Sequence, residues 1–518
     1  MLPPDSLAEL LSLFRGCFTR PTYGTFCSLC AGFIARVGEH TVTGMLLAAR
    51  LEGSWHHSRA HDFFARSRWS ADELGLRLLD FVVARFLETD APLRLAVDDT
   101  IFARSGPKVF GTHLHRQDHV HGGGKQIRYG NCWVVLGIVL RLPFGERSIF
   151  LPALFRLWQA DPARRGYGRK GLPYKRRRQD PAYPSQPEFA RELVDLVHIR
   201  HPKRNIELLG DGAYATKAMR GLPEAVRMIA RLKSSATLYA FPTEKDPHRR
   251  GRAPLKGERL GRVKEIATSV SGSFEPISPK GLGLPPNLSV YTLDCLWFGV
   301  LHTRPVRVVI VADPKGGGKR PLAMALVSTD TTLSAQEIVE RYALRWTIEV
   351  CFRDAKQLSG VGEARNRTPK AVKRTVPFGF LCQSLTVTWY MLNGDPTEDV
   401  RARRRHAPWY RHKRAPSYGD MLVALRRAMI AVEFPPGSVP EPKQRKFSRP
   451  TQGGWPCGGV KPRNSRSLPQ PAIHSPDATH DLRLRTLGSG EHGFRQKRAG
   501  ANRLDLAQLG RGPGLHAV

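Results

Sequence analysis

Residues 91 to 225 carry apolar runs in an order that few folds accommodate. LRLAVDDT (Leu93–Thr100) is rich in strand formers, with apolar residues at 93, 95 and 97. NCWVVLGIVLRL and RSIFLPALFRLW are longer strand-like runs, PEFARELVDLVHI has a helical period, and NIELLGDGAYAT (Asn205–Thr216) opens as a short buried strand. Strand, strand, strand, helix, strand predicts an α/β core. Two of its strands end in acid: the first at Asp98 and Asp99, the last at Asp211, where Gly210 and Gly212 let backbone and ligand approach closely. Taken alone, a strand-end aspartate ordinarily closes a turn.

A third segment gives these acids a partner. In YALRWTIEVCFRDAK, Tyr342, Arg345, Glu349 and Lys356 stand at offsets 0, 3, 7 and 14. On one α-helix these offsets fall within an arc of roughly 60°. A phenol, a guanidinium, a carboxylate and an ammonium thus share a stripe, while Ala343, Leu344, Trp346, Ile348, Val350 and Phe352 supply apolar surface around the rest. A carboxylate flanked by cations suits a divalent metal whose neighbours hold phosphates. A solvated face of i,i+3 and i,i+4 pairs is the alternative.

The spacing Tyr-x2-Arg-x3-Glu-x6-Lys resembles the signature of a large group of bacterial insertion-sequence DDE transposases. Arg345 with Trp346, and Ile348 before Glu349, also look like the familiar form. The segments with Asp98–Asp99 and Asp211 are similar to that family's first and second acidic motifs. There the first acid stands directly before the threonine, which assigns Asp99, with Asp98 as the alternative.

The resemblance implies an RNase H-like fold and a catalytic and metal-binding set of Asp99, Asp211 and Glu349. Three carboxylates suit phosphodiester chemistry: one ion activates the attacking oxygen and a second stabilises the leaving oxygen, about 4 Å away. Mg²⁺ binds through few protein carboxylates plus substrate phosphates, so two Mg²⁺ ions are expected, with Mn²⁺ as a substitute. Asp99 would bridge both ions. Tyr342, Arg345 and Lys356 are expected to hold DNA phosphates near the transposon end, Arg through its bidentate fork and Lys as a point charge. The implied partners are transposon terminal repeats and target DNA, in a homodimer. A related nuclease that cuts without strand transfer and a catalytically dead DNA-binding remnant are the alternatives.

Charge agrees with a polyanionic partner. The 518 residues hold 81 Lys plus Arg against 45 Asp plus Glu, a net +36, with a pI near 10.5. No run of eighteen apolar residues occurs, the Met1 start lacks a basic stretch before an apolar core, and eight cysteines are ordinary for a reducing compartment. The expectation is a cytoplasmic, nucleoid-associated bacterial protein without a membrane partner.

Such a length predicts several domains. Residues 1–90 have helical periodicity, which the resemblance makes a helical DNA-binding region. The RNase H-like core follows at 91–229 and resumes at 331–395 with Glu349. Asp211 and Glu349 stand 138 positions apart, more than a strand-to-helix connection needs. Strand-like runs RMIARL, LSVYTLDCLWFGVL and VRVVIVAD place a β-rich insertion at 230–330, with Trp297 as a candidate stacking partner for an unpaired base. An aromatic in a strand is otherwise core. Residues 396–518 have net charge +14, and only YGDMLVALRRAMIAV reads as helical there. A basic, mostly disordered tail is expected, either tethering DNA or a passenger sequence.

Other motifs point to less. His113–Gly124 bunches four histidines without a defined ligand geometry. DPKGGGKRPL (Asp313–Leu322) lacks Walker spacing and reads as a hairpin turn. Cys27 and Cys30 form a lone C-x-x-C, which argues for packing over zinc. The basic run Arg164–Arg178 is a solvated loop or a phosphate-backbone contact.

Overall fold

The four strands that the sequence order gives the core pair within one sheet, and a fifth, Val226–Leu232, joins them. A computed structural model describes residues 3–106, 108–117, 126–161, 181–243, 251–281, 284–313 and 322–434. The basic run Arg164–Arg178, the end of the histidine segment, most of Asp313–Leu322 and the chain after residue 434 lie outside them.

Five helices come first: α1 (Asp5–Ser12), α2 (Arg20–Ala35), α3 (Val42–Ala48), α4 (His57–Ala65) and α5 (Ala71–Phe86). Then come strands β1 (Leu93–Ala103), β2 (His113–Gln117), β3 (Gln126–Arg141) and β4 (Ser148–Trp158), helix α6 (Gln186–Arg200), and strands β5 (Ile206–Gly210) and β6 (Val226–Leu232). β3 runs antiparallel between β1 and β4, while β1, β5 and β6 are parallel neighbours. The order β4-β3-β1-β5-β6 is that of an RNase H-like sheet. β5 is buried at every residue, as a central parallel strand must be.

The expected inserted subdomain is not a separate sheet. Its elements are β7 (Thr237–Tyr239), β8 (Arg259–Arg262), α7 (Val263–Ser269), β9 (Glu275–Ile277), β10 (Leu288–Leu296), α8 (Phe298–Leu301), β11 (Pro305–Ala312) and β12 (Leu322–Ser328). β12 pairs antiparallel with β6, and β11, β10, β7 and β8 follow, so one twelve-stranded sheet contains both. RMIARL, read as the first insertion strand, is therefore the outermost parallel strand of the core. Sequence alone does not say which neighbour a strand pairs with.

The chain closes with α9 (Ala335–Ala343), α10 (Trp346–Gln357), α11 (Pro369–Asn393), α12 (Pro396–His406) and α13 (Tyr418–Glu433). α11 is buried along most of its length, and α1, α2, α4 and α5 pack around it. Arg374 of α11 donates to the carbonyls of Ser67, at 2.7 Å, and Trp69, which satisfies backbone groups at the end of the α4 region. The N-terminal helices thus share the core of the sheet, and residues 3–434 fall within one compact unit. The run YGDMLVALRRAMIAV, expected to be helical, forms α13, α12 precedes it, and Arg426 of α13 donates to the carbonyl of Ile34 at 2.7 Å. No helix of the described residues is long and apolar enough to cross a membrane.

Candidate active site

The acids meet where the parallel pairing of β1 ends. β1 pairs with β5 up to Val97 and Gly210, and the next residues are Asp98, Asp99 and Asp211. β1 does not stop at the acids, as its motif suggested; it continues to Ala103 against β3 alone. Alternation along the strand sends Asp98 and Asp99 to opposite faces. Asp211 opens a turn in which its carboxylate accepts from the Ala213 amide at 2.7 Å.

Tyr342, Arg345, Glu349 and Lys356 do not lie on one continuous helix. α9 ends at Ala343, and a tight turn of i→i+3 hydrogen bonds, Leu344 to Arg341 and Arg345 to Tyr342, leads into α10. Leu344 and Arg345 keep right-handed helical dihedrals, so the apolar period passes through the break unaltered. Arg345 is the N-cap of the new helix, with Glu349 in its first turn.

There the Arg345 guanidinium bridges two carboxylates. One nitrogen donates to Asp98 at 3.0 Å and another to Glu349 at 2.5 Å. Arg345 is 11% exposed along its side chain. Burial alone would weaken its charge, but Tyr342, Asp98 and Glu349 outweigh that and hold it firmly protonated. Tyr342 is buried, 4% exposed, and the Arg345 guanidinium lies 5.8 Å from the centre of its ring.

Asp99 sits among weaker donors. It accepts from the Tyr214 hydroxyl at 3.1 Å and from the Cys132 thiol at 3.5 Å, and Gln186 lies against that thiol. Its pKa is raised by burial and by Asp211, against the lowering effect of Tyr214, Cys132 and His115. The Asp98 carboxyl is pushed up to about 8, by burial first and by Asp99 and Asp211 further, although Arg345 opposes this. Three acids within electrostatic reach thus carry more negative charge than the site comfortably holds.

Lys356, two turns beyond Glu349, stands 5.4 Å from the centre of the Phe102 ring. Its residue surface is exposed, but the ammonium is crowded by protein, and desolvation with Arg128 lowers its pKa to about 8 while Cys132 and Asp99 oppose. Trp297 is not with this group. It caps α8 and is buried, 7% exposed, so its ring offers almost no face to a base. Cys27 and Cys30 lie in α2, with Cys30 packed beside Cys382, in keeping with a packing role.

A metal fits this donor set in kind: hard carboxylate oxygens in excess of local positive charge. Among the described residues, however, no three His, Cys, Asp or Glu groups converge closely enough to hold an ion as they stand. Two of the acids, Asp98 and Glu349, are instead neutralised by Arg345, which stands between them.

Sequence reasoning missed Tyr214, Cys132 and Gln186. Tyr214 had a signal, since it lies three residues after Asp211 and is therefore delivered with that acid. Cys132 and Gln186 had none, because their approach depends on strand register and on where α6 starts.

Two family models match the chain. The model described as DDE superfamily endonuclease matches residues 13–274, just over half of the chain, and that described as transposase DDE domain matches residues 168–383. No curated protein matches it. The first match spans Asp98, Asp99 and Asp211, and the second spans Asp211 to Lys356, so together they cover every acid and cation of the site. The chain belongs to the DDE superfamily endonucleases.

Proposed function

We propose that this endonuclease is an insertion-sequence transposase of the Y-R-E-K type, cutting DNA at the ends of its element and joining those ends to target DNA. The observation that carries the reading is the Arg345 guanidinium bridging Asp98 of β1 and Glu349 of α10, with Asp99 and Asp211 near enough to raise the Asp98 pKa.

In this reading the two adjacent aspartates have different tasks. Asp98 is committed to Arg345, a group that never loses its charge. Among the described residues Asp99 accepts from a phenol and a thiol, so its carboxylate can turn to a cation at small cost. Asp99, Asp211 and Glu349 would hold the metal, Mg²⁺ or Mn²⁺. The metal, when bound, supplies activation of the attacking oxygen and charge stabilisation at the leaving oxygen. Arg345 and Lys356 take DNA phosphates, and buried Tyr342 orients Arg345 rather than touching DNA itself. A phosphate that draws Arg345 away from Glu349 also frees that carboxylate, so DNA binding and metal binding support each other.

The test is a plasmid carrying the native element ends, incubated with the protein, Mg²⁺ and a target plasmid. Cleavage at the ends with joined product is expected, and Asp99→Asn, Asp211→Asn and Glu349→Gln should each abolish it. Cleavage without joined product would reduce the assignment to a nuclease, and no metal-dependent cleavage would overturn it.

A further inference from the structure

The turn between α12 and α13 carries an exposed indole inside a dense basic cluster. From Val400 to Pro416 there are seven Lys and Arg and no Asp or Glu. Trp409, in the middle, is 76% exposed, more than any other described tryptophan. Both family-model matches end before this segment, the later one at residue 383.

The frame of the turn is fixed from beneath. Arg401 and Arg405 pair with Glu398, each at 2.6 Å, and Arg403 and Lys413 pair with Asp420, each at 3.0 Å. Arg404 donates to the Lys413 carbonyl at 2.9 Å, which joins the end of α12 to the far side of the turn. The Tyr410 ring lies between Arg403 and Lys413, 5.7 and 5.8 Å from its centre. Trp409 projects from this held base, and Arg411 and Arg414 are exposed with no carboxylate partner among the described residues.

A large aromatic left in water beside unneutralised guanidinium groups matches a ligand with both flat apolar rings and phosphates. We propose that Arg401–Arg414 is a DNA-contact surface distinct from the carboxylate site. Arg411 and Arg414 bind backbone phosphates, and Trp409 stacks on a base exposed where the duplex is distorted. A second copy of the chain is disfavoured as occupant, because two such surfaces would bring Arg404, Arg411 and Arg414, which have no carboxylate partner among the described residues, against the same three. The proposal rests on the reading that the substrate is DNA.

The test uses the full chain in calcium, with a short duplex of arbitrary sequence and the same duplex carrying unpaired bases. Arg411→Gln/Arg414→Gln should flatten the dependence of log affinity on log salt by about 1.8, two phosphate contacts' worth. Trp409→Ala should weaken binding of the interrupted duplex roughly 5- to 150-fold with the salt slope unchanged, and Trp409→Phe should regain most of that. Parental binding in both variants overturns the proposal, as does a change in particle mass in Trp409→Ala with DNA binding intact, which would mark a protein interface. Failure of the parent to bind either duplex overturns the DNA reading and the proposal with it. A parent that binds while its variants bind equally well leaves the DNA reading standing alone.

Discussion

Asp98 and Asp99 share a motif but not an environment, and the difference can be measured. Asp99→Asn should abolish cleavage while DNA retention survives, since the phosphate-binding cations remain. Asp98→Asn should slow cleavage without abolishing it, because it loosens Arg345 and spares the metal set. Full cleavage by the Asp99 variant, with loss in the Asp98 variant, would exchange the two roles. Arg345 and Glu349 should separate just as clearly. In calcium, Arg345→Ala should weaken binding to transposon-end DNA and flatten its salt dependence by about 0.9. Glu349→Gln should bind almost normally there and fail to cut in magnesium. Equal salt slopes for Arg345→Ala and the parent would return this turn to an ordinary charged face. At this scale the chain was legible in part: the acidic segment of β1 and the Arg345–Glu349 segment do come together, through Arg345 between Asp98 and Glu349. It was not legible for Tyr342 and Trp297, whose sequence context does not give their burial; both rings lie buried.

Helices and strands were legible where apolar periodicity is strong. The break between α9 and α10 left no trace, because a turn that stays in the right-handed region preserves the period. α12 was missed for the opposite reason: PTEDVRARRRH has almost no apolar stripe. Its signals were at the ends. Asp395 accepts from the Glu398 amide at 3.0 Å, Pro396 opens the helix, acids occupy the first turn, and Arg403, Arg404, Arg405 and His406 occupy the last, complementing the helix dipole. The seating of α5 on β4 depends on a missing side chain. A Cβ on Gly75 would stand 1.9 Å from the Ala153 carbonyl oxygen, so Gly75→Ala must push the helix from the sheet, at a cost of about 1–3 kcal/mol. Gly24, also within a helix, has nothing within 4 Å of its absent Cβ, and Gly24→Ala should stabilise by about 0.5–1 kcal/mol. Melting temperatures should move in opposite directions; a shared direction would mean that α5 is not held at this contact.

Across the whole molecule, His40 joins parts distant in sequence. It is buried, 4% exposed, its ring packs on Phe33 of α2, and its amide donates to Glu363 at 2.7 Å. Its pKa is lowered from 6.5 by burial first, with Glu363 opposing and Arg426 and Arg36 contributing. Above the unfolded value the ring is neutral in both states. Below it the unfolded chain takes the proton first, so stability should fall as pH drops through about 6.5 and below. His40→Gln should flatten that part of the melting-temperature profile relative to the parent, and superimposable profiles would remove His40 as the cause. The order of core strands was legible along the sequence, but the continuity of the sheet was not, since it rests on β6 choosing β12. That choice governs how the protein could be shortened. Excising the segment between β6 and α9 would leave the last parallel strand with an open row of amides and carbonyls, able to recruit any extended chain nearby. The segment therefore serves as a guard rail against aggregation whatever it does for DNA, and a trimmed or chimeric enzyme would stay dispersed only if its replacement supplied a strand to lie antiparallel along β6.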